Sequence, residues 1–387
     1  MQDALRSAAN PTTSRGKIMP TKHPLRTAAA LLLCLGITLP AAAANTIWPA
    51  RETTQSAMMG DYRAVSCPQA PPAPYTGHLQ LDSKYDQSDA SKSTVTGLSR
   101  DTQRISDRIN SYHRGLSEGI SRFERARTPA EVNLALACLH TWLESWAREG
   151  ALLTSNTSAT GRAARKWSLA AISSILLKLE ALTNERYNLT PTQRSWLQQL
   201  SQAVMDDYSP RQTLGFAWFN NHDYWAAWAV CVTGMLLDRN DYLRWSATTF
   251  LLALEQMEPG AGDYRYLPLE MARDNLAVDY HHYALVPLVF MAQTAEANGR
   301  RLTRDEWSRL GELVNLAALG VLREGSVSEL TSSQDWVSRH KMVWLLPFLS
   351  MQPRHPLALE LYGRVGNDVG YYGQLGGDVR PFYPDFD

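Results

Sequence analysis

The signatures of several common chemistries are missing from this sequence. It contains no HExxH or CxxC spacing, so the usual frames for a zinc site are absent, and a catalytic metal is not expected. It contains no phosphate-cradling loop and no dinucleotide fingerprint. Cysteine is scarce, with four in 387 residues, and neither sign of charge dominates, 38 Lys/Arg standing against 38 Asp/Glu. No global basic field is available to attract a polyanion, so nucleic acid is not an expected partner. If the ligand is anionic, its positive charges must be local.

The amino-terminal stretch reads as a secretory signal rather than as fold. Lys22, His23 and Arg26 precede an apolar run from Ala28 to Leu39, and Ala41 to Ala44 supply small residues for cleavage. The run is too short to span a bilayer comfortably, so no membrane anchor is expected after cleavage. Residues 1–18 are polar and lie upstream of Met19, an alternative start. Cys34 sits inside the apolar run with Leu-Gly after it, which does not fit a lipoprotein site. Residues 1–44 carry five Lys/Arg and one Asp, so the remaining chain is about four units negative. Of the three cysteines left, Cys231 lies in an apolar helical run and is expected to pack as a small hydrophobe. A Cys67–Cys138 disulfide is expected to pin an irregular leader to a helix in an oxidising compartment.

Three segments are expected: the signal over 1–44, an extended leader with a loop over 45–95, and one helical domain over 96–387 that includes the leader. Pro68, Pro71, Pro72 and Pro74 rule out helix in the leader. The polar run from Ser83 to Asp89 is either a solvated loop or a lid carrying Lys84 and Tyr85 over a cleft. Beyond it, Ile105, Ile109, Tyr112, Leu116, Ile120 and Phe123 step by three and four along one helical face. Capping boxes open three later helices at Thr128, Thr190 and Thr303. Further helices are expected over about 161–185, 222–238, 240–257, 275–297 and 342–352. Nothing between them alternates as a strand does; only the stretch around Gly373–Val379 is open to short β structure. The fold class is therefore all-α, a body of stacked helical hairpins with a cleft at their loop ends.

Two constellations carry chemistry. Asn220-Asn221-His222-Asp223-Tyr224-Trp225 opens an apolar helix, and its polar groups at a helix N-terminus suit an anion. Trp225 and Trp228 are open to two readings, core packing or a platform for sugar. The second is Arg273 to Tyr283. Arg273 and Tyr280, seven apart, share a face if the segment is helical. His281 and His282 point about 100° apart on a helix, an unsuitable arrangement for ligating one metal.

These strings in order, NNHDYWAAW, then R-x6-Y followed by H-x-YAL, with SKY at Ser83–Tyr85 and RKW at Arg165–Trp167, resemble the alginate lyases of polysaccharide lyase family 5. The leader from Cys67-Pro68 to Gly77 and the terminal Gly376-Gly377-Asp378-Val379 fit the same pattern. The resemblance implies a periplasmic enzyme with an incomplete (α/α) toroid that cleaves mannuronate-rich alginate by β-elimination, without metal or other cofactor. It assigns Tyr280 as the acid/base and Asn221, His222 and Arg273 as the group that neutralises the substrate carboxylate. A competing assignment makes His222 the base and Tyr280 only the acid. Ser83, Lys84 and Thr160 match positions that contact substrate, with Lys166, Trp167 and Trp225 on the cleft wall. Ala159 stands where the family often has a polar residue. A phenol with an ordinary pKa near 10 needs positive charge beside it to act as a base, and Arg273 or a protonated His222 are the expected sources. The resemblance also implies a monomer that clears polymer trapped during secretion, beside other secretion components. The competing classes are a lyase for another uronate polymer, a glycoside hydrolase, and a non-catalytic saccharide-binding protein. A hydrolase needs a spaced carboxylate pair, and Asp263, Glu270 and Asp274 form no persuasive one.

Overall fold

The computed structural model describes residues 43–386. The signal segment expected over 1–44, with the alternative start at Met19, lies outside the described residues except for its last two positions. The described chain opens with α1 (Thr54–Ala57), and a long leader separates it from α2 (Arg100–Arg125) and α3 (Pro129–Arg148). Then come α4 (Ala159–Leu182), α5 (Pro191–Tyr208), α6 (Asn221–Leu237), α7 (Asn240–Glu255) and the short α8 (Pro268–Met271). The last helices are α9 (Ala277–Ala297), α10 (Arg304–Leu322), α11 (Leu345–Met351) and α12 (Pro356–Val365). The pairs α2/α3, α4/α5, α6/α7, α9/α10 and α11/α12 pack as hairpins, the all-α class the periodicity predicts.

Local signals in the sequence set the helix boundaries. Thr128, Thr190 and Thr303 each accept the backbone N–H three residues on, and Glu131, Gln193 and Glu306 each reach back to the cap amide. The apolar stripe of α2 is buried from Ile105 to Phe123. Two ribbons complete the chain, β1 (Glu258–Pro259) with β2 (Arg265–Tyr266), and β3 (Tyr371–Tyr372) with β4 (Gly377–Asp378). The first of them lies where no strand is expected from sequence. Two-residue strands are too short to alternate, so periodicity has nothing to detect.

Helix α6 is the axis of the body. Of its 17 residues only His222 is not buried. A helix that is apolar all round must be enclosed by others, and α4, α5, α7 and α9 pack around it. Ala226, Ala227, Ala229 and Gly234 let neighbours approach, and Ser173 bonds Thr233 at 2.8 Å across the α4–α6 contact. Trp228 is fully buried against Phe290, so it belongs to the core.

The leader is tied to this body by its carbonyls. Prolines give it few amides to donate, but Gln69 and Pro72 accept the indole N–H groups of Trp142 and Trp146, each at 2.9 Å. Cys67 and Cys138 are joined by a disulfide, and Cys231 is a buried free thiol. At the start of α4 the Leu79 carbonyl comes so close that a Cβ on Gly161 would lie 1.7 Å from it, so only glycine fits. The loop after the leader is ordered, not merely solvated. Tyr85 pairs with Val95, and the Asp89 carboxylate accepts the amides of Ser91, Ser93 and Thr94 at 2.9–3.0 Å. Those donors hold its pKa well below the usual carboxylate range.

His281 and His282 are core residues. His281 Nε2 accepts the Leu267 amide at 3.1 Å while Nδ1 gives its proton to the Ala277 carbonyl. His282 bonds the Ala317 carbonyl through Nε2 and accepts the Trp344 indole at Nδ1. Burial pushes the first down to about 4 and the second to about 3. Between those values and about 6.5 the unfolded chain binds protons that the folded chain refuses. Stability is therefore expected to fall as pH drops below about 6.5, by up to about 1.4 kcal/mol per pH unit for each ring. Urea unfolding between pH 7 and pH 4.5 checks this; a flat profile would remove both rings from the account. The disulfide closes a separation of 71 residues, and the double Cys→Ser variant is expected to lose about 2–4 kcal/mol in the same assay.

Candidate active site

The first turn of α6 is held from several sides. Asn220 caps it through its side-chain oxygen, which accepts the His222 amide at 2.9 Å, and Asp223 accepts the Asn220 amide at 2.9 Å. Asp223 is buried, and Arg211 grips both of its oxygens, each at 2.7 Å. Asn221 faces Glu270 on α8. Its amide N–H donates to Oε1 at 2.8 Å, and Nδ2 reaches the two oxygens at 2.9 and 3.0 Å. The Asn221 donors are thus engaged by a carboxylate of the chain itself. Burial raises the pKa of Glu270, partly offset by Asn221 and Arg273.

His222 stands at the exposed end of this turn. Its Nδ1 is 2.7 Å from Lys166 Nζ, its carbonyl accepts from the same nitrogen at 2.9 Å, and Trp167 lies alongside at 5.6 Å between ring centroids. Lys166 is fully buried behind it, and Trp225 is fully buried too. Neither can touch a polymer, so the expectation that they line the cleft wall is corrected. Periodicity places them on the helix but says nothing of which neighbour covers them. Trp225 stacks under Tyr283 at 5.1 Å and donates to its carbonyl at 3.2 Å, and Tyr283 lies edge-on to Tyr280. Trp225 is structural support.

Arg273 does not share a continuous helix with Tyr280. Helix α9 begins at Ala277, and Asp274 just before it takes a φ of 52°. That bend lays the guanidinium over the Tyr280 ring, with Cζ 3.8 Å from the centroid. The contact predicted from a seven-residue spacing is real, but a bend makes it. The loop covers the other side. Tyr85 lies 5.0 Å from the same guanidinium, the Lys92 carbonyl accepts from Arg273 Nη2 at 2.7 Å, and the Tyr280 hydroxyl donates to Tyr85 at 3.0 Å. Arg273 Nε is shielded from solvent and has no hydrogen-bond partner among the described residues. Ser83 turns the loop by accepting the Tyr85 amide at 3.0 Å, and Lys84 is exposed with Nζ 4.7 Å above the Tyr85 ring. Thr160 is half-buried in the first turn of α4, about 9 Å along the axis from Lys166.

A family model described as alginate lyase matches residues 80–327. An alginate lyase of Azotobacter vinelandii is 31% identical over 330 residues, 83% of this chain and 84% of the relative. One of Pseudomonas aeruginosa is 32% identical over 307 residues, 77% of this chain and 80% of the relative. This chain belongs to the alginate lyase family. It is accordingly a polysaccharide lyase. The fold agrees: alginate lyase A1-III of Sphingomonas species A1 superimposes with a TM-score of 0.60 at 16% identity, covering 85% of this chain and 89% of that one. A variant of A1-III complexed with tetrasaccharide gives 0.61 at 16% identity, covering 82% and 85%. The hairpins therefore form the (α/α) toroid that the resemblance implies.

Within this alginate lyase family member the charges differ from expectation in one respect. Burial, followed by Lys166, Arg211 and Arg273, pushes the His222 pKa far below its ordinary value, so His222 is neutral and supplies no positive charge to Tyr280. Burial also raises Tyr280, against the pull of Arg273. At Tyr85 burial is outweighed by the Tyr280 hydroxyl, Lys84 and Arg273, and the net direction is down. From sequence, Tyr85 has only a place on a lid and Glu270 only a place in an unpersuasive carboxylate pairing, and neither is expected as a site residue. Tyr85 stands inside the Ser83–Tyr85 string, which marks it only once Lys84 is taken as a contact; nothing local marks Glu270. A cavity of about 370 Å³ near the disulfide, walled by Gly115, Leu139 and Trp142, contains none of these groups.

Because the Arg273 guanidinium is planar and lies against two rings, lysine is a poor replacement. Arg273→Lys is expected to lower kcat/KM for alginate by about 10²-fold or more, and to speed amide exchange across residues 84–96. Unchanged turnover in steady-state assays would remove Arg273 from the site.

Proposed function

We propose that this lyase cleaves the β-1,4 linkages of mannuronate-rich alginate by β-elimination, leaving a 4-deoxy-4,5-unsaturated uronate at the new non-reducing end. The observation that carries the reading is Arg273, whose guanidinium lies over the Tyr280 ring and whose Nε has no hydrogen-bond partner among the described residues. Removing H5 of a uronate pushes charge into its carboxylate, so a preorganised cation must stand where that charge grows, worth about 10²–10³ in rate. Arg273 and Lys84 are the cations available, with His222 as a hydrogen-bond donor. This set does work that a metal would otherwise do, and we take the reaction to need none.

The proton steps follow from the phenol pair. The pair releases one proton to solvent, and the 3.0 Å hydrogen bond from Tyr280 to Tyr85 lets the remaining proton rest on Tyr85, which leaves Tyr280 the phenolate. Tyr280 takes H5, the electron pair forms the C4–C5 double bond, and the C4–O4 bond breaks. The proton on Tyr280 then passes to O4 of the leaving sugar. In β-D-mannuronate H5 and O4 lie on one side of the ring, which suits a single acid/base and favours mannuronate over guluronate. Acid–base catalysis of this kind is worth about 10²–10⁴. The signal-like residues 22–44 and the joined cysteines support a periplasmic setting, where the enzyme would clear polymer stranded during secretion.

Incubation with polymannuronate is expected to raise absorbance from the new double bond, more than polyguluronate does and with no loss after chelation. A hydrolase would release ends without that absorbance. Tyr280→Phe is expected to lose at least about 10³-fold in kcat, within the span of acid–base catalysis, while still binding polymer by calorimetry. Near-normal turnover in this variant would sink the assignment.

A further inference from the structure

Among the described residues Lys166 is a fully buried amine without a direct ion pair, whereas Lys178, also fully buried, lies 2.9 Å from Glu124. Its nearest negative charge, Asp223, is already gripped by Arg211. An ammonium is a costly group to bury in this way. What surrounds it is a set of three acceptors: His222 Nδ1 at 2.7 Å, the His222 carbonyl at 2.9 Å and the Tyr208 hydroxyl at 3.1 Å. An ammonium has three protons and no lone pair, so the match is complete only if Nδ1 presents its lone pair.

We propose that Lys166 is a positioning residue that fixes His222 as the neutral tautomer protonated on Nε2. One proton is contested between the amine and Nδ1. Burial pushes the pKa of both groups down, and the geometry decides between them. Three acceptors converge on Nζ, which only an ammonium satisfies, while the amine starts from the higher ordinary value, about 10.4 against 6.5. With Nδ1 occupied from behind, Nε2 carries the remaining ring proton and is a donor. His222 then meets the substrate carboxylate as a hydrogen-bond donor and has no free lone pair with which to take H5. This rests on the lyase reading and deepens it, since it removes the competing assignment of His222 as base. Lysine also meets the His222 carbonyl, so it fixes the place of the ring as well as its proton. The groups that bear on the ring are Lys166 from α4, Arg211 after α5 and Arg273 before α9, all cationic. Asp223 and Tyr208 act on it through Lys166. Together the cations oppose a second ring proton.

Nitrogen-15 NMR of the histidine rings tests this on the free wild-type protein, with His222 assigned by the spectrum of His222→Gln. The expected result is a protonated Nε2 and an unprotonated Nδ1, unchanged from pH 8 to pH 5.5. A proton on Nδ1, or on both nitrogens at neutral pH, overturns the proposal whether or not the protein cleaves alginate. Lys166→Met supplies the kinetic arm, with folding checked by circular dichroism. At pH 8 its kcat is expected to fall about 10-fold or more, below the 10²–10³ cost of removing such a donor outright, with little change in KM. The same spectra should show the ring of the variant with part of its proton on Nδ1, because nothing then occupies that nitrogen from behind. A deficit with the ring tautomer unaltered would leave lysine a merely structural role and refute the positioning one.

Discussion

A helix enclosed on every side must still begin somewhere, and its first turn carries amides with no partner inside the helix. In α6 that beginning is the polar run from Asn220 to Asp223, in which Asn221 and Asp223 are as buried as the apolar residues behind them and Asn220 and His222 are half-buried. Each polar atom there demands a partner, and the partners come from elsewhere in the chain: Arg211 for Asp223, Glu270 for Asn221, Lys166 for His222. Satisfying one buried helix start therefore draws the turn after α5, the short α8 and the middle of α4 to one point. His222 is the α6 residue that reaches the surface of that cluster. The rigidity needed to hold a donor in place follows from the same hydrogen bonds that make the helix start tolerable in the interior.

The net charge of the chain sharpens the problem of binding a polyanion. With residues 1–44 removed the chain is about four units negative, so attraction must come from few cations placed well. Arg273 is placed by a backbone bend and covered by two phenol rings, which keep water from screening it. Lys84 is exposed and adds charge from the loop side. Lys166 is cationic but enclosed, and its influence reaches a ligand only through His222.

Much of the fold is legible in the sequence because helix signals are local. A threonine followed three residues later by Glu or Gln, or an apolar stripe from Ile105 to Phe123, depends on no distant contact. The candidate site is legible only in part. Tyr280, Arg273 and His222 are singled out by type, spacing and family likeness, and the structure brings them together. Burial is what misleads. Lys166 and Trp225 look like surface chemistry in a linear chain, and only the packing of α5 and α9 around them shows that they are enclosed. Glu270 and Tyr85 are the converse, ordinary in sequence and decisive in space, because their partners lie 49 and 195 residues away.

The phenol pair follows from these facts together. Burial makes ionising Tyr280 directly costly, and one cation stacked on its ring does not reverse that. The hydrogen bond to Tyr85 ties it to a second phenol whose pKa the Tyr280 hydroxyl, Lys84 and Arg273 draw down, so the two oxygens share one set of cations. Tyr85, Lys84 and the Lys92 carbonyl that fixes Arg273 all belong to the loop over residues 83–96. The loop thus brings a second phenol and a second cation to Tyr280, which already lies under Arg273. In the elimination proposed above, charge on the pair forms where positive charge already stands on both sides, from the segment before α9 and from the loop.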